Sequence, residues 1–391
     1  MFNWTTLVAA FVVAALVSLA VCILIVLTQR WHGALSLDAN LTGKQKFHKI
    51  PVPRIGGAAL VLGVASAAAW VHLGPGGAAA AATGASVAAL IGSSLPVFAI
   101  GLVEDLTRRV SVRMRLGLTL ASALLAWCSL DAVLARIGLP FVDELLAFAP
   151  LAVLLTAVAV AGITNAVNII DGFHGIAGST VIVILSGIAF LSWRSGDALV
   201  LELALLGMGA TLGFLLVNYP LGMLFMGDGG AYFLGFWCAE LAVLLVWRQP
   251  DISPWQVLAI CAYPVIEVLY SMFRKKVLRG MSPTMPDRLH LHMLIYRRGI
   301  CRLLARDDRR PWLRNAAVNW ALAPWQSAWA IAAVALGAAG PAAGLLLGLH
   351  ALAYVAVYVR LLRGRWYYPA LVMRPLRRRV RAVRTVRTRI V

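Results

Sequence analysis

The sequence predicts an all-α polytopic membrane protein with about eleven transmembrane helices, and three observations support this fold class. Of the 391 residues, 61% are hydrophobic and only 13% are charged, whereas a soluble globular domain is about half apolar and about a quarter charged. Mean hydropathy is +0.84. Apolar runs of about 18–22 residues recur along the chain, and each is long enough as a helix to cross a hydrocarbon core of about 30 Å.

The predicted spans follow one another through the chain with connections of varying length. The first is longer than the apolar part of a signal peptide and follows a segment without basic residues, so we expect a retained helix rather than a cleaved leader. The fourth is the shortest. The predicted spans are residues 6–28, 55–73, 84–103, 116–131, 146–166, 177–193, 198–217, 230–247, 255–273, 319–338 and 341–360.

Basic residues are distributed unevenly between the two sides that these spans define. When successive connections alternate between the sides, all of the 35 Lys and Arg residues except Arg136, Arg194 and Arg248 fall on one side, together with the C-terminal tail. The positive-inside rule makes that side cytoplasmic. We therefore expect the N-terminus outside and the C-terminus in the cytoplasm.

The formal net charge of +19 has its main sources in the tail 374–391 and in the connection 274–318. Such segments are attracted to anionic lipids at the membrane surface. Binding to nucleic acid would require aromatic interleaving or a recognition fold, neither of which is apparent, so no nucleic-acid partner is expected. The five cysteines are scattered without metal-site or disulfide spacing and are expected to pack.

Acidic residues stand where three odd-numbered spans reach the predicted cytoplasmic boundary. Glu104 and Asp105 end the third span, Asp171 follows the fifth, and Asp228 follows the seventh. Charged groups at the membrane are costly unless they pair or serve a function, so these acids are expected to mark a functional site. Neighbouring glycines would let the backbone approach a ligand closely.

Two interpretations of these acids remain open from the sequence. Glu104 and Asp105 are followed by Arg108 and Arg109, so local ion pairs would explain them. Asp228 has no Lys or Arg within ten positions on either side. A carboxylate among glycines is a suitable ligand for Mg²⁺, with Mn²⁺ as the alternative.

Cationic and imidazole side chains fall on the same predicted side. The first connection contains Lys46, His48 and Arg54, and the connection after the ninth span contains His290 and His292. Such donors beside carboxylates favour phosphate recognition around a metal, although a zinc site at the histidine pair stays open.

Glu267 lies within the ninth predicted span, in the stretch YPVIEVLY. A buried acid at membrane depth is a candidate for a functional site. A helix-packing role for Glu267 is equally compatible with the sequence.

Together these motifs resemble the polyprenyl-phosphate N-acetylhexosamine-1-phosphate transferase family over about residues 44–300. The family's motifs occur in the same order: Lys-x-His with Pro-x-Pro-Arg-x-Gly-Gly, a pair of acids, Asn-x-x-Asn-x-x-Asp-Gly, Gly-Asp-x-Gly and a His-x-His-His segment. The matching positions are Lys46, His48, Arg54, Glu104, Asp105, Asn165, Asn168, Asp171, Asp228, Asp287, Arg288, His290 and His292.

The resemblance implies transfer of a HexNAc-1-phosphate from a UDP-sugar to undecaprenyl phosphate or another polyprenyl phosphate, which yields UMP. It implies catalytic roles for Glu104, Asp105 and Asp228, with Mg²⁺ at Asp228 and Asp105 as a further metal ligand or orienting group. The remaining matched positions, with Glu267 and His174, are expected to bind substrate. Residues 1–373 would form one catalytic membrane domain. Direct attack, a covalent aspartyl-phosphate route and a homodimer all stay open.

Three departures from the family pattern bear on the branch. Glu104 replaces an aspartate, His174 stands where many relatives have a second aspartate, and Met293 stands where many have another histidine. These favour initiation of a surface polysaccharide, such as O-antigen in lipopolysaccharide synthesis, over the MurNAc-pentapeptide step. His174 either contacts the nucleotide sugar, for example UDP-GlcNAc, or fills the place of a lost acid. The rivals are a secondary transporter and a non-catalytic relative that binds lipid phosphate.

Overall fold

The computed structural model describes residues 3–38, 51–73, 81–282, 287, 289–305, 307, 309–310 and 312–363. The described chain is built from α-helices with two π-helical turns, at Arg274–Leu278 and Ile295–Ile300. The helices are α1 (Trp4–Leu27), α2 (Gln29–Ser36), α3 (Gly56–Leu73), α4 (Ala81–Thr107), α5 (Val112–Leu130), α6 (Pro140–Leu146), α7 (Ala149–Ile170), α8 (Ile176–Ser195), α9 (Ala198–Asn218), α10 (Gly227–Arg248), α11 (Pro254–Ile260), α12 (Ala262–Phe273), α13 (Leu291–Leu294), α14 (Cys301–Leu303), α15 (Leu313–Leu336) and α16 (Gly340–Leu362).

The all-α polytopic fold class is confirmed. In the part of the chain that the structure describes, eight helices are long and apolar enough to cross a membrane by length and composition, namely α1, α3, α4, α7, α8, α9, α10 and α16. The predicted spans 116–131 and 319–338 also coincide with long helices, α5 and α15. Two arginines in its first turn make α5 less apolar. The number of spans and their orientation stay predictions.

The predicted span 255–273 differs from the structure because it is broken. Helices α11 and α12 meet at Cys261 and are bent by 82°. Pro264 explains the break: it lacks the N–H that would donate to the Ile260 carbonyl, and its ring crowds that carbonyl. If the bent pair is one span, the apolar helices number up to nine. The break turns the start of α12 and aims its other end at the region described below.

Helix α10 is the centre of the bundle, and its apolar window is wholly buried. It packs against α3, α4, α7 and α8. Glycines allow these contacts to be very close: a Cβ on Gly57 of α3 would lie 2.4 Å from the Gly230 backbone nitrogen, and one on Gly101 of α4 would lie 2.6 Å from that of Gly229. The first turn of α10 is therefore clamped between two neighbouring helices.

One end of the bundle collects the termini of several helices. Helices α4, α7 and α12 end there, and α3 and α10 begin there. A short extended crossing joins the starts of the last two, because the Phe225 N–H donates to the Pro53 carbonyl (2.8 Å) and the Gly56 N–H to the Phe225 carbonyl (3.0 Å). Helices α12, α13, α15 and α16 share a second hydrophobic core beside this end.

Candidate active site

A cavity of about 690 Å³ opens at this end of the bundle. Its size lies within the range typical of sites for small molecules. Lys46, His48 and Arg288 of the predicted site, and the tail 374–391, lie outside the described residues. The predicted residues that line the cavity are Arg54, Asn165, Asn168, Asp171, His174, Asp228, Asp287, His290 and His292. Glu104, Asp105 and Glu267 are not among the residues that line it.

One side of the cavity, the carboxylate wall, consists of Arg54, Asn168, Asp171 and Asp228. Asp228 lies in the first turn of α10, where the helix dipole favours a negative charge. Its Oδ2 accepts a hydrogen bond from Arg115 Nη1 (2.9 Å) and its Oδ1 one from Asn168 Nδ2 (3.3 Å). Arg54 Nη2 lies 3.7 Å from Oδ1. Asp228 is thus held in place from three directions.

Asp105 lies directly behind this wall and is 1% exposed. Its Oδ1 accepts from the Asp228 N–H (2.8 Å) and from Arg54 Nε (3.0 Å), and its Oδ2 accepts from the Gly229 N–H (2.9 Å). These backbone donors are among those that an α-helix leaves unpaired at its start. Asp105 therefore caps α10 from a distant helix and positions Arg54 and Asp228. Its predicted role as a metal ligand or catalytic group stays a prediction.

The arginines next to the acid pair in sequence do not provide its ion pairs. Glu104 Oε2 accepts from the Val110 N–H (2.8 Å) in the turn after α4. Arg108 turns away to the Leu37 carbonyl (3.0 Å) and Asp38 Oδ1 (3.2 Å). The local-pairing interpretation is thus wrong for Asp105, whose cationic partner is Arg54, 51 positions away. Asp228, isolated from basic residues in sequence, has cationic partners in space.

Asp171 immediately follows α7 and is partly exposed to the cavity. Burial on its other sides, and then the negative charge of Asp228, raise the pKa of Asp171 to about 7, while Arg54 opposes that shift. The two carboxylates are thus close enough to repel each other. An added positive charge would favour the ionised form of Asp171.

The opposite side, the histidine wall, consists of Asp287, His290 and His292 with Glu267 behind them. Glu267 on α12 is 1% exposed; its Oε1 lies 2.9 Å from His290 Nδ1, and both of its oxygens accept from the Leu291 N–H. Because a carboxylate only accepts, Nδ1 of His290 carries a proton and donates it to Glu267. Glu267 is therefore both packed and connected to the site.

His292 is stacked against His290, with ring centroids 5.4 Å apart and planes 11° apart. Its side chain is fully buried, and burial lowers the pKa of His292 to about 4. Both ring nitrogens lack a hydrogen-bond partner among the described residues. Since buried polar groups are normally paired, the two ring nitrogens make His292 a candidate to contact a ligand in the cavity; that role stays a prediction.

Asp287 anchors the start of the histidine segment. Its Oδ1 accepts from the Leu289 N–H (3.0 Å), and its Oδ2 accepts from Ser271 Oγ (2.8 Å) and forms a buried ion pair with Arg274. With both oxygens engaged, Asp287 holds the loop to α12. A direct contact with substrate stays a prediction.

His174 lines the cavity between the two walls. Its backbone N–H donates to Asn315 Oδ1 (2.7 Å), and its ring Nδ1 lies 3.0 Å from the Pro220 carbonyl oxygen. Gly222, with a φ of +67°, leaves space for the ring, since a Cβ there would lie 2.2 Å from it. Both interpretations of His174, ligand contact or space filling, remain open.

Sequence reasoning missed several polar residues that line the cavity: Asp38, Arg115, Lys275 and Asn315. Arg115 is the most informative, because it binds Asp228 directly. The sequence contained a sign of this role, because Arg113 and Arg115 lie between the acid pair and the start of the predicted span 116–131. The proximity of Arg115 to Asp228, 113 positions away, depends on tertiary packing.

Comparison with known proteins gives consistent results. The model of glycosyl transferase family 4 matches residues 87–246, which contain most of the carboxylate wall. A probable undecaprenyl-phosphate N-acetylglucosaminyl 1-phosphate transferase of Bacillus subtilis is 27% identical, over 73% of this chain and 76% of its own length.

Two further relatives are similar. A decaprenyl-phosphate N-acetylglucosaminephosphotransferase of Mycolicibacterium smegmatis is 26% identical over 71% of this chain and 74% of its own length. An undecaprenyl-phosphate alpha-N-acetylglucosaminyl 1-phosphate transferase of Escherichia coli is 31% identical over 51% of this chain and 55% of its own length. The histidine wall lies beyond the segment that the family model covers.

Proposed function

We infer that this chain, which belongs to the polyprenyl-phosphate N-acetylhexosamine-1-phosphate transferase family, transfers a HexNAc-1-phosphate from a UDP-sugar to polyprenyl phosphate. The products are polyprenyl-pyrophosphoryl-HexNAc and UMP. The observation that carries the inference is the meeting of Asp171, Asp228, His290 and His292 around one cavity at one end of an apolar bundle. We further propose that the reaction initiates a cell-surface polysaccharide.

The cavity suits an amphiphilic acceptor. Beside its charged walls it is lined by the apolar side chains of Val112, Ile169 and Met272, which are 51%, 38% and 45% exposed. We propose that these side chains form an apolar rim through which the cavity meets the hydrocarbon of the membrane. A lipid phosphate could therefore place its head group in the cavity while its chain stays in the bilayer.

The acids that face the cavity fit a divalent cation. Mg²⁺ typically binds through one or two carboxylates together with substrate phosphates, so a site built wholly from protein ligands is not required. Among the described residues, no group of three or more His, Cys, Asp or Glu side chains is arranged to hold a metal ion. Asp171 and Asp228 repel each other, and a cation would relieve that repulsion. We assign the ion to these two acids, which line the cavity, rather than to Asp105, which is 1% exposed and does not line it.

The mechanism that we propose relies on positioning and charge neutralisation, as phosphoryl transfer generally does. An oxygen of the lipid phosphate forms a bond to the sugar-linked phosphorus, the bond from that phosphorus to the UMP oxygen breaks, and UMP leaves with the electron pair. A phosphate monoester with a second pKa of about 6 is largely ionised near neutral pH, so no general base is needed. A bound Mg²⁺ would neutralise the diphosphate and the leaving oxygen.

The residues of the two walls would do the rest. Arg54 of the carboxylate wall and Arg115 beside it would donate to phosphate oxygens and reduce repulsion between two anionic substrates. His290 and His292 of the histidine wall would donate N–H groups to phosphate oxygens. Asp105 would act from behind by holding Arg54. Its burial favours direct attack over a covalent intermediate on Asp105.

We propose that the cavity faces the cytoplasm of the inner membrane, where nucleotide sugars are made. Support comes from the basic residues at the same end of the bundle, including Arg108, Arg113, Lys276 and Arg297, through the positive-inside rule. A secondary transporter would place its charges near the bilayer midplane between two related halves, whereas Asp171 and Asp228 stand at helix ends.

The test uses the purified full-length chain in detergent with undecaprenyl phosphate, Mg²⁺ and a panel of UDP-sugars that includes UDP-GlcNAc and UDP-N-acetylgalactosamine. We expect UMP release and a polyprenyl-pyrophosphoryl product with at least one sugar, and loss of both on chelation. No UMP release with any sugar, from protein that is folded by its melting profile, would overturn the proposal in favour of a transporter or a non-catalytic relative.

A further inference from the structure

The C-terminal helix α16 contacts the histidine wall from behind. Its buried face carries His350, Tyr354 and Tyr358, which are spaced four residues apart and are each 2% exposed or less. Residues four apart lie on one face of a helix. The two tyrosine hydroxyls and His350 Nδ1 are buried without a hydrogen-bond partner among the described residues. Helix α16 also lies beyond the segment that the family model matches.

Tyr354 stands next to the carboxylate that holds His290. Its hydroxyl is the neighbour of Glu267, although the pair does not reach full hydrogen-bond geometry. The Glu267 oxygens already accept from His290 and from the Leu291 N–H. A carboxylate has about four acceptor sites, so Glu267 retains capacity for a hydroxyl donor. Tyr354, Glu267 and His290 thus form a chain that leads from α16 to the cavity.

Tyr358, one turn further along α16, contacts the Arg274–Asp287 ion pair that holds the histidine wall. Its ring lies 5.2 Å from the Arg274 guanidinium carbon, and Arg274 pairs with Asp287. Tyr270 of α12 packs edge-on between the two tyrosines, at 5.6 Å from the Tyr354 ring and 4.8 Å from the Tyr358 ring. The Tyr358 contact is made by its ring, whereas the Tyr354 contact with Glu267 is made by its hydroxyl. That difference allows a matched experiment.

We propose that Tyr354 is a positioning residue for His290, acting through Glu267, in the transfer reaction inferred above, on which this proposal rests. The buried hydroxyl lies against the carboxylate and, as the remaining donor beside it, restricts its orientation. The carboxylate in turn holds the proton of His290 on Nδ1, so that Nε2 is the nitrogen presented to the cavity. Outer hydrogen-bond partners of site histidines act in this way in other enzymes. Tyr354 itself touches no substrate.

The test compares Tyr354→Phe with Tyr358→Phe in the full-length protein, because each change removes a hydroxyl and keeps the ring. We expect kcat/KM for the UDP-sugar to fall about 10-fold in Tyr354→Phe, the order seen when an outer partner of a site histidine is lost. Tyr358→Phe is expected to retain wild-type kcat/KM, and both variants the wild-type melting temperature. A wild-type kcat/KM in Tyr354→Phe, or an equal loss in Tyr358→Phe, overturns the proposal.

A double-mutant cycle separates positioning from packing. When Tyr354→Phe is added to His290→Gln, we expect no further loss, because the chain to the cavity is already broken. Packing predicts the same factor in both backgrounds, and that result would refute the proposal. If His290→Gln has no turnover, Glu267→Gln takes its place in the cycle. Failure of the proposed function can be told apart from failure of the Tyr354 proposal, because it would appear as absent UMP release in the unmodified protein.

Discussion

The carboxylate wall and the histidine wall face the same cavity but are held in different ways. The first is borne on α7, α10 and the segment before α3, where glycine contacts fix the backbone and Asp105 of α4 accepts two N–H groups of α10. The second is fastened to α12 and the π-helical turn after it by two side-chain anchors, Glu267 with His290 and Arg274 with Asp287. We infer that the first wall responds to substitution in an all-or-none manner and the second in a graded one.

The largest expected effect is on the carboxylate wall. Asp228→Asn removes the charge that faces both the proposed cation and the two arginines, so turnover should fall about 10²–10³-fold, the order for loss of a group that stabilises transition-state charge. UMP release at saturating substrate measures it. Asp251→Asn, an exposed aspartate at the other end of the bundle, is the control. Turnover near the wild-type rate in Asp228→Asn would remove Asp228 from the site.

The rigidity of the same wall can be tested through its glycines. Gly57→Ala places a methyl group 2.4 Å from the Gly230 nitrogen, and because the obstacle is backbone, we expect a loss of about 1–3 kcal/mol in stability. Gly162→Ala is the matched control, since nothing lies within 4 Å of its added Cβ. Melting profiles in detergent measure both. Equal stability of the two variants would contradict the close packing of α3 on α10.

A smaller effect is expected on the histidine wall. Glu267→Gln keeps an acceptor for the Leu291 N–H but removes the negative charge beside His290, so kcat/KM for the UDP-sugar should fall about 10-fold. Steady-state kinetics at several UDP-sugar concentrations measure the change. A loss as large as that of Asp228→Asn would show that the two walls are equally sensitive.

The smallest effect concerns Asp171 in the absence of metal and substrate. Its folded pKa of about 7 lies above the unfolded value of about 3.9, so its contribution to stability is full at low pH and is lost as pH rises through 7. Asp171→Asn mimics the neutral acid. Its gain in melting temperature over the wild type, measured with chelator, should therefore grow from pH 5 to pH 8. A gain that does not change with pH would refute the raised pKa of Asp171.

The sequence was a good guide to the helices and to the convergence of the acids. Apolar length alone requires a helix in the bilayer, and each predicted span except 255–273 coincides with an unbroken helix. Hydropathy sums over a window and does not detect a break such as that at Cys261. Family motifs identified Asp171, Asp228, His290 and His292, which all line the cavity.

Side-chain direction and long-range partners could not be predicted. Nothing in the sequence distinguishes Asp105, which turns inward to cap α10, from Asp228, which faces the cavity. The pairing of Arg115 with Asp228 requires α5 to lie beside α10, and the Arg274–Asp287 anchor requires the loop to fold back on α12. Each of these depends on tertiary geometry that residue spacing does not encode.

In the proposed site, Asp171 and Asp228 together hold a divalent cation with the nucleotide sugar. Mn²⁺ binding, followed by electron paramagnetic resonance in the presence of UDP-GlcNAc, tests it most directly. We predict one bound ion per chain in the wild type and at least about 10-fold weaker binding in Asp171→Asn and in Asp228→Asn, as expected when a ligand charge is removed. Wild-type Mn²⁺ affinity in the protein carrying both substitutions would contradict the account.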